Sequence, residues 1–285
     1  MKILVTGGSG WVGSHLVKNL ENEGHKVYNY DLKNGFDITN EVVLNDIFGM
    51  GFDRVYHLAA QAFMGIGEKH PHRDVDINIK GMINLLQCIE KYKVPLVYTS
   101  SGAVYGITKS LPHSEDATCI PVSNYGVSKL AAEYYLKKWV ATKEIDAKII
   151  RFSSVYGKGR THGPVNIFIN RALANKPLTV FGTGKQTRDL TYIDDAIQGV
   201  KLVMEKGCTG ETYNIGVGYE TSVETVANIV GKHFDAEVTY VPNELGAFDL
   251  PRSWYDISKI SKLGYEADYD PVRGIVKTIK EETEK

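Results

Sequence analysis

The sequence predicts an α/β fold: a doubly wound, Rossmann-type parallel sheet followed by a smaller C-terminal α/β lobe. Three observations predict it. Short apolar runs alternate with helix-period segments over the first 150 or so residues, a glycine-rich turn joins the first run to the first helix, and the regularity breaks down after Val155.

The elements follow in order. Lys2–Thr6 is a short apolar strand, Trp11–Asn22 carries Val12, Leu16 and Leu20 at helical spacing, and Lys26–Tyr30 is a second strand, which makes a βαβ unit. Strands are expected at 54–58, 96–100 after Pro95, and Ala147–Phe152, with helices at 75–92 and 123–142 between them. Strands separated by helices imply a parallel sheet covered on both faces. Beyond Val155, glycines at 157, 159, 163, 182 and 184 with Pro164 and Pro177 cut the chain into short pieces. A helix at 192–204 and a strand at 211–215 return to the first sheet. The expected division is therefore a dinucleotide-binding domain of residues 1–156 plus about 189–216, and a second lobe of 157–188 and 217–285. The charged amphipathic tail, 272–285, is read as a solvated helical end.

Composition narrows the function. The 285 residues carry 33 Lys plus Arg against 34 Asp plus Glu, with no long run of like charge, so nucleic acid and anionic membranes lack an electrostatic attractor. No stretch approaches the length of a membrane span, and the N-terminal apolar run, Ile3-Leu4-Val5, is too short for a signal peptide. Three widely spaced cysteines, Cys88, Cys119 and Cys208, read as reduced thiols. A cytoplasmic protein is expected.

Thr6-Gly7-Gly8-Ser9-Gly10-Trp11-Val12-Gly13 lies where the first strand becomes the first helix and satisfies G-x-G-x-x-G through Gly8, Gly10 and Gly13. Glycines there permit a tight turn, let the backbone approach a pyrophosphate and let the helix pack on the strand, while the helix N-terminus attracts the anion. Asp31 ends the second strand about 18 residues later, where a carboxylate hydrogen-bonds an adenosine ribose. A carboxylate there repels a 2′-phosphate, favouring NAD over NADP; Lys33 is the nearby cation that could partly accommodate that phosphate.

Tyr-x-x-x-Lys occurs four times, at Tyr105/Lys109, Tyr125/Lys129, Tyr134/Lys138 and Tyr255/Lys259, against about 1.5 by chance, so position must choose among them. Ligands of doubly wound sheets sit beyond the carboxyl ends of the strands. Tyr125/Lys129 opens a helix after Pro121, with Thr99-Ser100-Ser101 ending the preceding strand as hydroxyl donors. An ammonium about 4 Å from a phenol can supply much of the roughly 4 kcal/mol needed to ionise it near neutrality. Such a phenolate takes a proton from a substrate hydroxyl while hydride leaves the same carbon.

TGGSGWVG at 6–13, Asp31, His57-Leu58-Ala59-Ala60, SSGAVYG at 100–106, YGVSK at 125–129, RFSSVYG at 151–157, RDLTYIDD at 188–195 and YNIG at 213–216 run in order along most of the chain. In these motifs it resembles the extended short-chain dehydrogenase/reductases of the nucleotide-sugar epimerase/dehydratase group, UDP-glucose 4-epimerase-like. The resemblance implies that Ser101, Tyr125 and Lys129 are the catalytic set. It implies that Gly7, Gly10, Trp11, Val12, Gly13, Asp31, Asp37, Ile38, Leu58, Ala59, Ala60, Asn78 and Ser100 bind NAD with Tyr125 and Lys129, Asp37-Ile38 meeting the adenine. It implies that Asn166, Phe181, Arg188 and Arg252 hold the nucleotide sugar with Ser101 and Tyr125. Arg188 beside a glycine-rich loop also suits a diphosphate clamp on its own chemistry, though an ion pair with Asp189 is open to it. Many relatives form homodimers through two helices per subunit, which makes 75–92 and the Tyr125 helix the candidates here.

Departures from the group's pattern narrow the reaction. Where the dehydratase branch carries an Asp-Glu pair this chain has Gly102-Ala103, which cannot transfer protons. An NAD-dependent UDP-hexose 4-epimerase is the leading expectation. A nucleotide-sugar reductase or 4,6-dehydratase is the alternative, with a non-catalytic NAD-binding regulator behind it. Ser154 stands where many relatives have asparagine, and Met82 where threonine is usual. Gly182-Thr183-Gly184-Lys185 lacks Walker spacing, His70 and His72 lack a third metal ligand at suitable spacing, and no G-x-S-x-G is present.

Overall fold

The computed structural model describes residues 1–107, 110–243 and 250–284. In chain order the elements are β1 (Lys2–Thr6), α1 (Trp11–Asn22), β2 (Lys26–Tyr30), α2 (Glu41–Phe48), β3 (Arg54–His57), α3 (Met64–Lys69), α4 (Pro71–Asp74), α5 (Gly81–Tyr92), β4 (Leu96–Ser101), α6 (Asn124–Lys143), β5 (Ala147–Phe152) and β6 (Ser154–Tyr156). They continue with α7 (Pro164–Leu173), β7 (Leu178–Phe181), β8 (Thr187–Arg188), β9 (Leu190–Tyr192), α8 (Ile193–Lys206), β10 (Thr212–Ile215), β11 (Thr221–Ser222), α9 (Val223–Phe234), β12 (Val238–Val241), α10 (Ser258–Ser261) and α11 (Pro271–Thr283).

The main sheet has the order β10-β5-β4-β3-β1-β2, with β1 pairing in parallel with both β2 and β3, and β3 with β4. Strand order reverses between β1 and β3, the switch point at which doubly wound sheets bind ligands. β1 and β4 are buried almost throughout and have no polar alternation, as expected for strands covered on both faces. Leu4, Val55, Leu96 and Ile149 of the sheet pack with Leu44, Leu85, Ile89 and Leu136 of the helices in one core.

Two compact units emerge: 1–108, 117–151 and 197–213 form one, and 109–116, 152–196 and 214–285 the other. The second thus takes in 110–116, 152–156, 189–196 and 214–216, which the sequence reading assigns to the first lobe. Within the second unit, α7 and α9 pack together, and β7 pairs in parallel with β12.

Two expectations are corrected. The helix expected at 75–92 is interrupted: Val75–Lys80 is a π-helical turn and α5 begins only at Gly81. A Cβ on Gly81 would sit 2.7 Å from Ile38 Cγ2, so the close approach of that segment uses the missing side chain. The tail is not a solvated end. Gly274, Ile275, Thr278 and Ile279 of α11 are buried, Lys277 Nζ donates to Asp194 (2.9 Å), and the Tyr192 hydroxyl donates to Glu281.

Candidate active site

The turn after β1 is built as its glycines require. Gly7 has φ +72°, and a Cβ on it would lie 2.5 Å from the Ala59 nitrogen, at the end of β3. A Cβ on Gly13 would overlap the Gly7 carbonyl and stand 2.8 Å from Gly8 Cα, so only glycine lets α1 start this close to the turn. Gly10 differs: its backbone is extended (φ −72°, ψ 171°), and a Cβ would meet only the Gly7 carbonyl, at 3.1 Å. The N-cap of α1 is Gly10, which has no side chain to cap the helix, and a helix N-terminus of this kind favours an anion. Trp11 and Val12 occupy the first turn of that helix.

Asp31 stands over this turn. Ser9 N–H donates to its Oδ2 (3.0 Å) and Lys33 N–H to its Oδ1 (2.9 Å). The Lys33 ammonium, the cation that could have met a 2′-phosphate, donates to the Ser9 carbonyl (3.0 Å). Asp37 accepts from Thr39 N–H and hydroxyl, its carbonyl accepts from Tyr30, and Ile38 is buried against Gly81. Leu58, Ala59 and Ala60 are half-buried after β3.

Asn78 has a structural task. Its Oδ1 accepts from Gln61 N–H (2.8 Å), and its Nδ2 donates to the Gln61 carbonyl and to Ser128 Oγ (2.9 Å), joining the segment after β3 to α6. Ser100 Oγ and Asn29 Oδ1 are buried without a hydrogen-bond partner among the described residues. The sequence reading missed Asn29, whose Nδ2 donates to Ser9 Oγ.

Ser101 ends β4, its Oγ accepting from Ala103 N–H at 3.2 Å. α6 starts against the next turn: Ser123 caps it by accepting from Gly126 N–H (3.0 Å), and a Cβ on Gly126 would be 2.6 Å from the Ala103 carbonyl. That approach brings Tyr125 to the end of the strand that carries Ser101. Lys129, one turn on and 2% exposed, has its Nζ 4.5 Å above the Tyr98 ring, whose ring also stacks on His57 (5.4 Å). Burial lowers the Lys129 pKa to about 7, against the pull of Glu133, and lowers His57 to about 3, aided by Lys129. Of the other three tyrosine–lysine pairs, Tyr134 is exposed, Tyr255 is buried in the second unit, and Lys109 lies outside the described residues.

The sequence reading also missed Tyr98, Glu133 and Arg151. Arg151 on β5 donates from Nε to Glu133 Oε1 (3.0 Å) and from Nη2 to Oε2 (2.7 Å), both residues at most 2% exposed. The i, i+4 spacing of Lys129 and Glu133 was the available signal.

The second unit holds the remaining candidates. Arg188 Nη1 donates to the Thr187 and Leu250 carbonyls, each at 2.7 Å. Asp189, burial raising its pKa to about 7, accepts from the Val217, Gly218 and Tyr255 amides. Arg252 forks onto Glu220 (2.6 and 3.0 Å), which also accepts from Thr187, so Glu220 ties Arg252 to the strand carrying Arg188. Phe181 ends β7, half-buried, and Asn166 in α7 donates to the Gly157 carbonyl while its buried Oδ1 has no partner among the described residues.

The model of the NAD dependent epimerase/dehydratase family matches residues 3–216. A putative UDP-glucose 4-epimerase of Methanocaldococcus jannaschii is 36% identical over 97% of both chains. A UDP-N-acetyl-alpha-D-glucosaminuronate decarboxylase of Bacillus cytotoxicus is 29% identical over 92% of this chain and 91% of its own. Among solved structures, UDP-glucose 4-epimerase of Thermotoga maritima with UDP-glucose superposes with a TM-score of 0.92 at 32% identity, covering 98% of each chain. With the matched region running from β1 through β10, this chain belongs to the NAD dependent epimerase/dehydratase family.

Proposed function

We propose that this protein is an NAD-dependent nucleotide-sugar 4-epimerase acting on a UDP-hexose through a transient 4-keto sugar. The observation that carries the choice within the family is the aprotic turn after Ser101. Gly102, Ala103 and Val104 have no group able to move a proton, and the Ala103 carbonyl is packed against Gly126. Elimination of water needs an acid and a base beside the sugar ring; this turn supplies neither.

NAD fits the residues present. The turn from Gly7 to Gly13 leaves Gly10 uncrowded for a pyrophosphate, Asp31 would hold the adenosine ribose, and the Ser100 hydroxyl, unpartnered among the described residues, and the buried Lys129 ammonium would have hydrogen bonds to give. NAD bound there would supply the acceptor for the sugar-carbon hydride and the donor that restores it. The protein handles the proton. Tyr125, its phenol acidified by the Lys129 charge, removes the proton of the sugar hydroxyl and returns it after inversion, while the Ser101 hydroxyl donates to the same oxygen. In the second unit, Arg188 and Arg252 bind the diphosphate, with Phe181 and Asn166 on the nucleotide. A homodimer through 75–92 and α6 completes the reading; Val127, Tyr134 and Tyr135 of α6 are exposed apolar or aromatic side chains suited to it.

Incubation with a panel of nucleotide sugars, read by mass spectrometry and proton NMR, tests this. An isomer of unchanged mass, inverted at C4 of a UDP-hexose, is expected. A product lighter by the mass of water, or of carbon dioxide, contradicts it.

A further inference from the structure

Three charged side chains are buried together beneath the candidate site: Lys129, Glu133 and Arg151, each at most 2% exposed. Lys129 and Glu133 lie one turn apart on α6, facing the same way. A lysine and a glutamate so placed, away from water, would ordinarily pair with each other. They do not here. The Arg151 guanidinium takes both Glu133 oxygens, with its carbon 4.8 Å from the Tyr105 ring centre, while Lys129 Nζ rests on the Tyr98 ring with no hydrogen bond among the described residues.

We propose that Glu133 and Arg151 are positioning residues for Lys129: the arginine fork occupies the carboxylate so that it cannot capture the ammonium, yet leaves its negative charge close enough to keep that ammonium charged. The proposal rests on reading Tyr125 and Lys129 as the proton-handling pair. Captured by Glu133, Lys129 would be drawn down the helix, away from Tyr125. Without the carboxylate, burial would strip the lysine of its proton and the phenol of its acidifying charge.

The groups facing Lys129 are few. His57 and Tyr98 approach from β3 and β4, and Tyr125 and Glu133 lie on its own helix. Arg151 holds Glu133, the Tyr105 ring lies against the Arg151 guanidinium, and the Cys119 thiol feels both charges. On the helices packed against α6, Glu68 binds Asn124 and Glu90 binds Trp139 at opposite ends, and Asp74 binds Gln61. Burial keeps His57 and Tyr98 neutral near pH 7, leaving Tyr125 and the Glu133–Arg151 pair to set the charge of the lysine.

The test reads the lysine directly. In protein labelled with 13C at lysine Cε, the Lys129 resonance, assigned by its loss in Lys129→Arg, is titrated against pH. Removing the fork in Arg151→Met should raise its midpoint by about one pH unit, a tenfold change in proton affinity, and Glu133→Gln should lower it by a similar amount. Glu133→Gln/Arg151→Gln, which leaves no uncompensated buried charge, should also lower it. Arg151→Lys, which keeps both charges but not the fork, should raise it, and these two variants decide the matter if the single neutral ones do not fold. A pair that only stiffens the fold would lower the melting temperature and leave the midpoint where it was, which would overturn the proposal. Because the midpoint is read without turnover, a protein inactive on every nucleotide sugar would count against the epimerase reading alone. An active epimerase with an unmoved midpoint would count against this proposal alone.

Discussion

Tyr125→Phe should lower kcat by about 10³-fold, within the range that a positioned acid–base group contributes, while NAD affinity and melting temperature stay close to those of the parent. The substitution removes one oxygen from a half-buried side chain at the start of α6 and leaves the Ser123 cap and the Gly126 approach to Ala103 in place. Lys129→Met should lose a comparable factor for a different reason: the phenol remains but loses the charge that acidifies it. Its residual activity should therefore climb with pH. Steady-state kinetics from pH 6 to 10 check both, and a Tyr125→Phe protein with near-parental kcat would remove the phenol from the chemistry.

Gly13→Ala should abolish measurable NAD binding and cost about 1–3 kcal/mol of stability, since its Cβ overlaps the Gly7 carbonyl and must push α1 off the turn. Gly10→Ala separates the two effects. Its extended backbone accepts any residue, and its nearest neighbour, at 3.1 Å, needs only a small adjustment, so the melting temperature should hardly move. NAD affinity should still fall by about tenfold or more, because the methyl group stands where the pyrophosphate approaches. Calorimetric titration with NAD beside thermal unfolding distinguishes them. Equal loss of stability in both variants would mean that Gly10, like Gly13, is there for packing.

Where the signal is local, the sequence is legible. The first strand, helix and second strand are placed to the residue, because an apolar run, a glycine turn and helical spacing are each decided within a few positions. Ser101, Tyr125 and Lys129 fall on the strand end and helix expected, since strand alternation with helices dictates which ends face one rim. What escaped depends on partners remote in sequence. Glu133 meets Arg151 only through the placement of α6 beside β5, Arg252 meets Glu220 across 32 positions, and the tail is buried because Tyr156 and Tyr192 lie under it. The inner face of α6 was hard to read for a related reason. It buries Ser128, Lys129 and Glu133, so the apolar stripe that marks an ordinary packed helix is broken where the chemistry is held.

In the proposed reaction, C4 of the sugar loses and regains its hydrogen within one active site, and only the hydroxyl proton passes through Tyr125. A UDP-hexose carrying deuterium at C4 measures this directly. Complete retention of the label at C4 of the inverted product is the predicted result; its replacement by hydrogen from water, which would mean deprotonation of carbon, contradicts the account.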